Sequence, residues 1–220
     1  MKRLGGAVVG LLGLTASVAA QVPTAIVEDV KGKVDGVEFM DYVAPGKVIK
    51  LGPKASVVLG YMASCWRETI TGGTVVIGTD QSMVHESDVQ RIKVDCDARA
   101  QLSDREANQG AATTFRTMAP AQRAAGEAVT IFGLSPVVDV RGGGGTLVIE
   151  RTDVQGERYA LPIKGDALLR GKFYDLSRAN KALTAGGTYT ATLGARKTTF
   201  RIAPNASAGP TPLIGRLVRL

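Results

Sequence analysis

The sequence predicts an all-β protein in which two small β domains are joined by a helical linker. Apolar and polar residues alternate in short runs, which is the pattern of strands with one buried face. Glycine is abundant, at 27 of 220 residues, and breaks containing Gly or Pro separate the runs. Between residues 99 and 128 the apolar spacing changes to that of a helix.

The first 20 residues have the pattern of a secretory signal peptide. Lys2 and Arg3 precede an apolar run, which closes on the small residues Ala19 and Ala20. The alternative is a membrane anchor, but the run has about ten residues and a span needs roughly 20. We expect cleavage after Ala20, a periplasmic bacterial protein, and no transmembrane segment in the mature chain.

The charge balance is mildly basic, with 27 Lys and Arg against 20 Asp and Glu. The basic residues are scattered along the chain rather than gathered in a patch, which argues against a nucleic-acid partner. An anionic envelope polymer remains a possible partner, because a basic excess favours encounter with anionic surfaces.

Residues 21–98 form the first predicted domain. Short strands at regular spacing indicate a β-sandwich or a rolled sheet. Gly72 and Gly73 are expected to turn the chain between the last two of them. The candidate strands are "AIVEDV", "VEF", "KVIKLG", "SVVLGYMASC", "WRETI" and "TVVIG".

Cys65 and Cys96 each end an apolar row with the spacing of one strand face. Two inward-facing cysteines in an oxidising compartment most simply form a structural disulfide. Its loop of about 31 residues predicts roughly 3.5–4 kcal/mol of stabilisation. Trp66 packs beside this bridge or lies on the opposite face. The two rows are Val57-Leu59-Tyr61-Ala63-Cys65 and Ile92-Val94-Cys96.

Other roles for the cysteines are less well supported. A zinc site needs about four ligands, and His85 is the only histidine. A redox pair would more often be Cys-x-x-Cys, which is absent. His85 stands in a polar stretch typical of a surface loop. We therefore assign no catalytic, cofactor-binding or metal-binding residue.

Residues 25–97 contain a further pattern of glycine and apolar positions. Its members are Val30, Gly32, Val34, Gly46, Ile49, Leu51, Gly52, Val57, Leu59, Gly72, Gly73, Val75 and Ile77. This pattern resembles that of the periplasmic FecR-like domain. The resemblance implies a β-rich, non-enzymatic domain that acts in signalling with a partner protein.

Residues 99–128 have helical spacing. Ser103 and Glu106 form a capping box at a helix start. An apolar stripe follows, and Pro120 and Gly126 can end the helix. The stripe consists of Ala107, Ala111, Phe115 and Met118.

Residues 129–220 form the second predicted domain. In "LTAGGTY", Leu183 and Tyr189 flank a Gly-Gly turn, which resembles the tyrosine corner of Greek-key sandwiches. It predicts a bond from the Tyr189 hydroxyl to nearby backbone in an immunoglobulin-like or fibronectin-like sandwich. The candidate strands are "AVTIFGLSP", "VVDVRG", "TLVIERTD", "ERYALPIKG", "GTYTATLG" and "KTTFRIA".

Two remaining stretches have alternative interpretations. The Gly-rich "RGGGGT" lacks the Gly-Lys-Ser/Thr of a phosphate loop and precedes a strand, so we interpret it as a loop. The ending "PLIGRLVRL", with Arg216 and Arg219, is either a last strand, which we favour, or a short amphipathic helix.

These patterns predict an exported, non-enzymatic binding or sensor module of the bacterial cell envelope. Its partner would be an envelope protein or an anionic envelope polymer, and no cofactor is implied. The alternative is an enzyme, or an accessory domain of one, with a site made of scattered polar residues. Convergent polar groups in a deep cleft would favour the enzyme.

Overall fold

The described part of the chain is all-β, as predicted. A computed structural model describes residues 22–98, 128–141, 144–209 and 211–220. These residues contain 16 strands and two short 3₁₀ segments, Gly165–Ala167 and Leu213–Gly215, and no α-helix. Apart from Ala128, the predicted helical linker lies outside the described residues.

The first strand-rich region forms one seven-stranded antiparallel sheet. Its strand order is β3-β1-β4-β5-β6, with β2 paired to β4 and β7 paired to β5. The strands are β1 (Ala25–Lys31), β2 (Val34–Asp35), β3 (Tyr42–Val43), β4 (Val48–Tyr61), β5 (Trp66–Val76), β6 (Met83–His85) and β7 (Asp88–Lys93).

Two long strands curl this sheet into a half-barrel. The register between β4 and β5 shifts between Leu51 and Ser56. Gly72 and Gly73 lie opposite this shift, inside β5, with φ of 68° and 72°. The expectation that Gly72-Gly73 reverses the chain is therefore wrong. Extra residues and positive φ in adjacent strands bend both strands together without ending them.

The predicted faces near the cysteines are partly wrong. β4 ends at Tyr61, and Cys65 lies in the following turn with a φ of 53°. On β7, Arg91 points inward and Ile92 is exposed, the reverse of the expected arrangement. The reason is the fully buried carboxylate of Glu68 on β5, which accepts a 2.6 Å hydrogen bond from Arg91 Nε. A buried carboxylate needs a charged partner.

The second strand-rich region contains two mixed sheets. Their strand orders are β11-β10-β14-β15-β8 and β12-β13-β9-β16. β8 pairs in parallel with β15, and β16 pairs in parallel with β9. The strands are β8 (Val129–Gly133), β9 (Val137–Asp139), β10 (Gly145–Arg151), β11 (Arg158–Ile163), β12 (Leu168–Leu169), β13 (Phe173–Asp175), β14 (Thr188–Leu193), β15 (Arg196–Ser207) and β16 (Leu217–Arg219).

The last residues do form a strand, β16, as we favoured. Sequence patterns missed the hairpin of β12 and β13, because two- and three-residue strands are too short to show an alternating pattern. They also misplaced His85, which is exposed as expected but lies on β6 rather than in a loop.

Three apolar cores hold these sheets. One lies inside the curled sheet and one lies between the two mixed sheets. The third, which we call the seam, joins the two strand-rich regions and ends beside a cleft between them. The seam core consists of Ile26, Met40, Met62, Val137, Phe173, Leu213, Ile214 and Leu217.

Candidate functional site

A cleft of about 340 Å³ opens at the seam, and we call it the seam pocket. It combines residues of both strand-rich regions and carries three basic side chains against one acidic side chain. The lining residues are Pro23, Tyr42, Asp139, Arg141, Lys172 and Arg219.

The end of β9 positions the basic residues of the seam pocket. Asp139 is the last residue of β9, and Arg219 on β16 lies directly beside it in the parallel register. On the other side, the Val140 amide donates a 2.8 Å hydrogen bond to the carbonyl of Lys172, just before β13. Three neighbouring strands therefore deliver Arg141, Lys172 and Arg219 to one end of a sheet.

Asp139 also fixes the backbone of Arg141. Its Oδ1 accepts a 3.0 Å hydrogen bond from the Arg141 amide, and Arg141 has a φ of 49°. A non-glycine residue adopts this left-handed conformation only when its surroundings hold it there. The buried carboxylate supplies that constraint at the rim of the pocket.

Tyr42 forms a wall of the pocket from the first region. Its hydroxyl donates a 3.2 Å hydrogen bond to Asp139 Oδ2, and its ring lies 5.8 Å from that of Phe173. The guanidinium of Arg219 stands 4.9 Å from the centre of the Tyr42 ring, a cation–π contact. Burial raises the pKa of the Tyr42 hydroxyl far above its usual range, so this hydroxyl stays protonated.

Two basic groups of the pocket form no ion pair in the part of the chain that the structure describes, although Asp41 interacts electrostatically with Lys172. Among the described residues, neither Arg141 nor Lys172 forms an ion pair with a carboxylate. Nearby arginines differ, since Arg170 pairs with Glu38 and Asp41. The positive charge of the seam pocket is therefore only partly neutralised by the chain itself.

A second cleft, of about 300 Å³, lies elsewhere along the seam and is lined by residues that include Phe39 and Leu169. Its four charged groups form two ion pairs, although Arg216 Nε is buried without a hydrogen-bond partner. Arg67 pairs with Glu28 at 2.7 Å, and Arg216 pairs with Asp175 at 2.8 Å. Because the charges of these pairs balance, the second cleft attracts a charged ligand less strongly than the seam pocket does.

The four residues that were given structural roles from sequence line neither cleft. Cys65 and Cys96 are disulfide-bonded, with their Cα atoms 5.6 Å apart, as predicted. Trp66 packs against the core of the curled sheet, with Lys93 Nζ 4.5 Å from its ring centre. Tyr189 is fully buried, and its hydroxyl accepts a 2.8 Å bond from the Thr184 amide, which is the predicted contact.

Sequence reasoning missed all of the residues of the seam pocket. Tyr42 and Asp139 are 97 residues apart, and Arg219 lies on the last strand. No short motif could join them. The available signals were Arg219 in the basic C-terminal segment and Arg141 at the start of "RGGGGT", and neither pattern by itself indicated a site.

Comparison with known proteins gives no match to a family model, a curated protein or a solved structure. Within the described residues, no group of three or more His, Cys, Asp or Glu side chains could hold a metal ion. The same residues include no helix with the length and hydropathy to cross a bilayer.

Proposed function

We propose that this protein is an exported, non-enzymatic binding module of the bacterial cell envelope, and that it binds its partner at the seam pocket. The partner is an envelope protein or an anionic envelope polymer. The observation that carries this proposal is the pair of basic groups Arg141 and Lys172 in a cleft between two β regions, where neither forms an ion pair with a described carboxylate. Unpaired cations at a concave site attract anionic groups.

The identity of the two regions is part of the proposal. The curled sheet would be a FecR-like domain, and positive φ at Gly32, Gly46, Gly72 and Gly73 supports this, because these are positions of the FecR-like pattern.

The second region would be an immunoglobulin-like sandwich. Its two sheets share one core, and an edge strand, β8, pairs in parallel with β15. The backbone bond of Tyr189 at the start of β14 matches a tyrosine corner. Sandwiches of this kind commonly serve binding, and their function depends on the site they carry.

Export to the periplasm is supported by the signal-peptide pattern and by the bridge between Cys65 and Cys96, since disulfides persist in oxidising compartments.

The chemistry of the pocket supports binding over catalysis. Its one carboxylate, Asp139, is buried and accepts hydrogen bonds at both oxygens, from Tyr42 and from the Arg141 amide. These bonds give Asp139 a structural role, because it holds Tyr42 and the backbone of Arg141 in place.

Photo-crosslinking in living cells tests the proposal. A photo-reactive residue replaces Lys47, which lines an open groove beside Tyr42, and a second strain carries it at the exposed Lys164 as a control. We expect a product from position 47 that is lost when Lys172→Glu is added. A product that persists with Lys172→Glu, or none from position 47, would overturn binding at the seam pocket.

A further inference from the structure

We propose that the seam pocket is an oxyanion site that takes one phosphate or carboxylate group carried on a small organic body. This inference rests on the proposed function and names the chemistry of its ligand. It predicts that the partner presents a single anionic group, such as a phosphate ester or a chain-terminal carboxylate, rather than a long charged surface.

The donors in the pocket suit an oxyanion. Arg141 offers a planar guanidinium that can donate two parallel hydrogen bonds to a phosphate or a carboxylate. Lys172 adds an ammonium group on the neighbouring strand. Because no described carboxylate pairs with either group, a ligand would not have to displace an internal ion pair to reach them.

Hydrogen bonds hold in place the backbone that carries these donors before any ligand arrives. The Lys172 carbonyl is bonded to the Val140 amide, and Asp139 is bonded to the Arg141 amide. The register of β9 and β16 sets Arg219 beside Asp139. Preorganisation of this kind lowers the entropy that binding would otherwise cost.

The size of the pocket indicates more than a free ion. A volume of about 340 Å³ lies near the lower end of the range for small-molecule sites, which is about 300–1,000 Å³. The Tyr42 ring and Pro23 provide walls against which a sugar ring or a short side chain could lie. The ligand would therefore fit as one anionic group with an uncharged body of sugar or amino-acid size.

Charge predicts the order of affinities among anions. Three basic groups face Asp139 in the pocket, and Asp41 acts on Lys172 from nearby, which still leaves an excess of positive charge among the described residues. A doubly charged phosphate monoester matches this excess better than a singly charged carboxylate does. We therefore expect glycerol phosphate to bind more tightly than inorganic phosphate, because it also fills the pocket, and acetate to bind most weakly.

Calorimetric titration of the purified protein with these three probes, at constant low ionic strength, tests the inference. We expect saturable binding of glycerol phosphate that weakens by about tenfold or more in Arg141→Gln and in Lys172→Gln. The matched controls, Arg178→Gln and Lys164→Gln, remove exposed basic residues elsewhere on the second region and should leave affinity unchanged. Trp66 fluorescence and the melting temperature verify that each variant is folded.

Absence of saturable binding by all three probes would overturn the oxyanion site. Equal losses of affinity in the control variants would also overturn it, because they would indicate non-specific electrostatic attraction. If acetate binds as tightly as glycerol phosphate, the ligand group is a carboxylate rather than a phosphate, and the order of affinities predicted from charge is wrong. If the oxyanions fail while crosslinking from position 47 still depends on Lys172, the ligand class is wrong and the proposed function stands. If both experiments fail, both proposals fall.

Discussion

Buried polar side chains set the local geometry of this protein at the scale of single residues. The hydroxyl of Tyr189 accepts a bond from the Thr184 amide and donates a 2.6 Å bond to Glu157 Oε2. Burial, followed by the bond to Glu157, raises the pKa of Tyr189 to about 12. A buried hydroxyl with these partners ties the Thr184 loop to the core, since it bonds to that loop on one side and to Glu157 on the other.

Replacing Tyr189 with Phe tests this tie. The ring can keep its packing against Phe200, whose ring centre is 5.7 Å away, but the Thr184 amide loses its acceptor. Glu157 loses a donor and keeps its ion pair with Arg151. We expect a loss of about 1–3 kcal/mol in the free energy of unfolding. The shift in the urea midpoint measures it.

The matched control is Tyr159→Phe, since Tyr159 is only half-buried and its hydroxyl makes a single long bond, of 3.5 Å, to Glu157. It should cost less than about 0.5 kcal/mol. Equal effects of the two substitutions would show that the bonds of Tyr189 do not stabilise the fold.

Ion pairs between neighbouring elements fix how the strands meet at the seam. Asp175 on β13 accepts bonds of 2.8 and 3.2 Å from Arg216, just before β16, and Ser177 adds two more donors. Burial alone would raise the pKa of Asp175, but the bonds from Arg216 and Ser177 outweigh it and lower the pKa. The ionised carboxylate therefore stabilises the folded state.

Acid should weaken this link. Because the pKa of Asp175 is lower folded than unfolded, its contribution is complete above the unfolded value of about 4 and is lost as the pH falls through the folded value. Asp175→Asn should cost about 3 kcal/mol at pH 7, because it leaves Arg216 largely buried without its partner. Urea midpoints of both proteins from pH 7 to pH 3 measure this difference.

The difference in stability between the wild-type protein and Asp175→Asn should shrink toward pH 3. Asp29→Asn serves as the control, because its pair with Lys31 is exposed and should contribute less than about 1 kcal/mol at pH 7. A cost of Asp175→Asn that stays constant over this pH range would contradict the role of the ionised carboxylate.

The seam makes the two strand-rich regions cooperative at the scale of the whole molecule. Ile214, in the last ten residues, is buried against β4, and a Cβ at Gly60 would collide with its side chain. Its amide also donates a 2.9 Å bond to Glu28 on β1. Glycine at position 60 allows this close approach, so the end of the chain holds both regions together.

Ile214→Ala should therefore destabilise the region that does not contain it. We expect a loss of about 2–4 kcal/mol from the cavity created. Trp66, the only tryptophan, reports on the first region, so its fluorescence midpoint in urea should fall together with the midpoint from circular dichroism.

The control for this coupling is Val154→Ala, an exposed position in the second region that should change neither midpoint. Two separate transitions, with the Trp66 transition unchanged in Ile214→Ala, would mean that the regions unfold independently despite the seam.

The sequence alone determined the properties that depend on local pattern. Alternating apolar residues and glycine-rich breaks specified an all-β chain, and two cysteines specified the bridge between Cys65 and Cys96. The contact of Tyr189 followed from a seven-residue stretch. Each of these properties depends on residues close in sequence or, for the disulfide, on the fact that two cysteines can pair in only one way.

The tertiary structure alone decided the rest. Bends within β4 and β5 could be distinguished from turns only once the strands were paired, and the inward direction of Arg91 depended on Glu68 on another strand. The seam pocket needed Tyr42, Asp139 and Arg219 to meet from distant strands. Such contacts depend on sheet order and register, which short-range patterns do not encode because they record only the period of each strand.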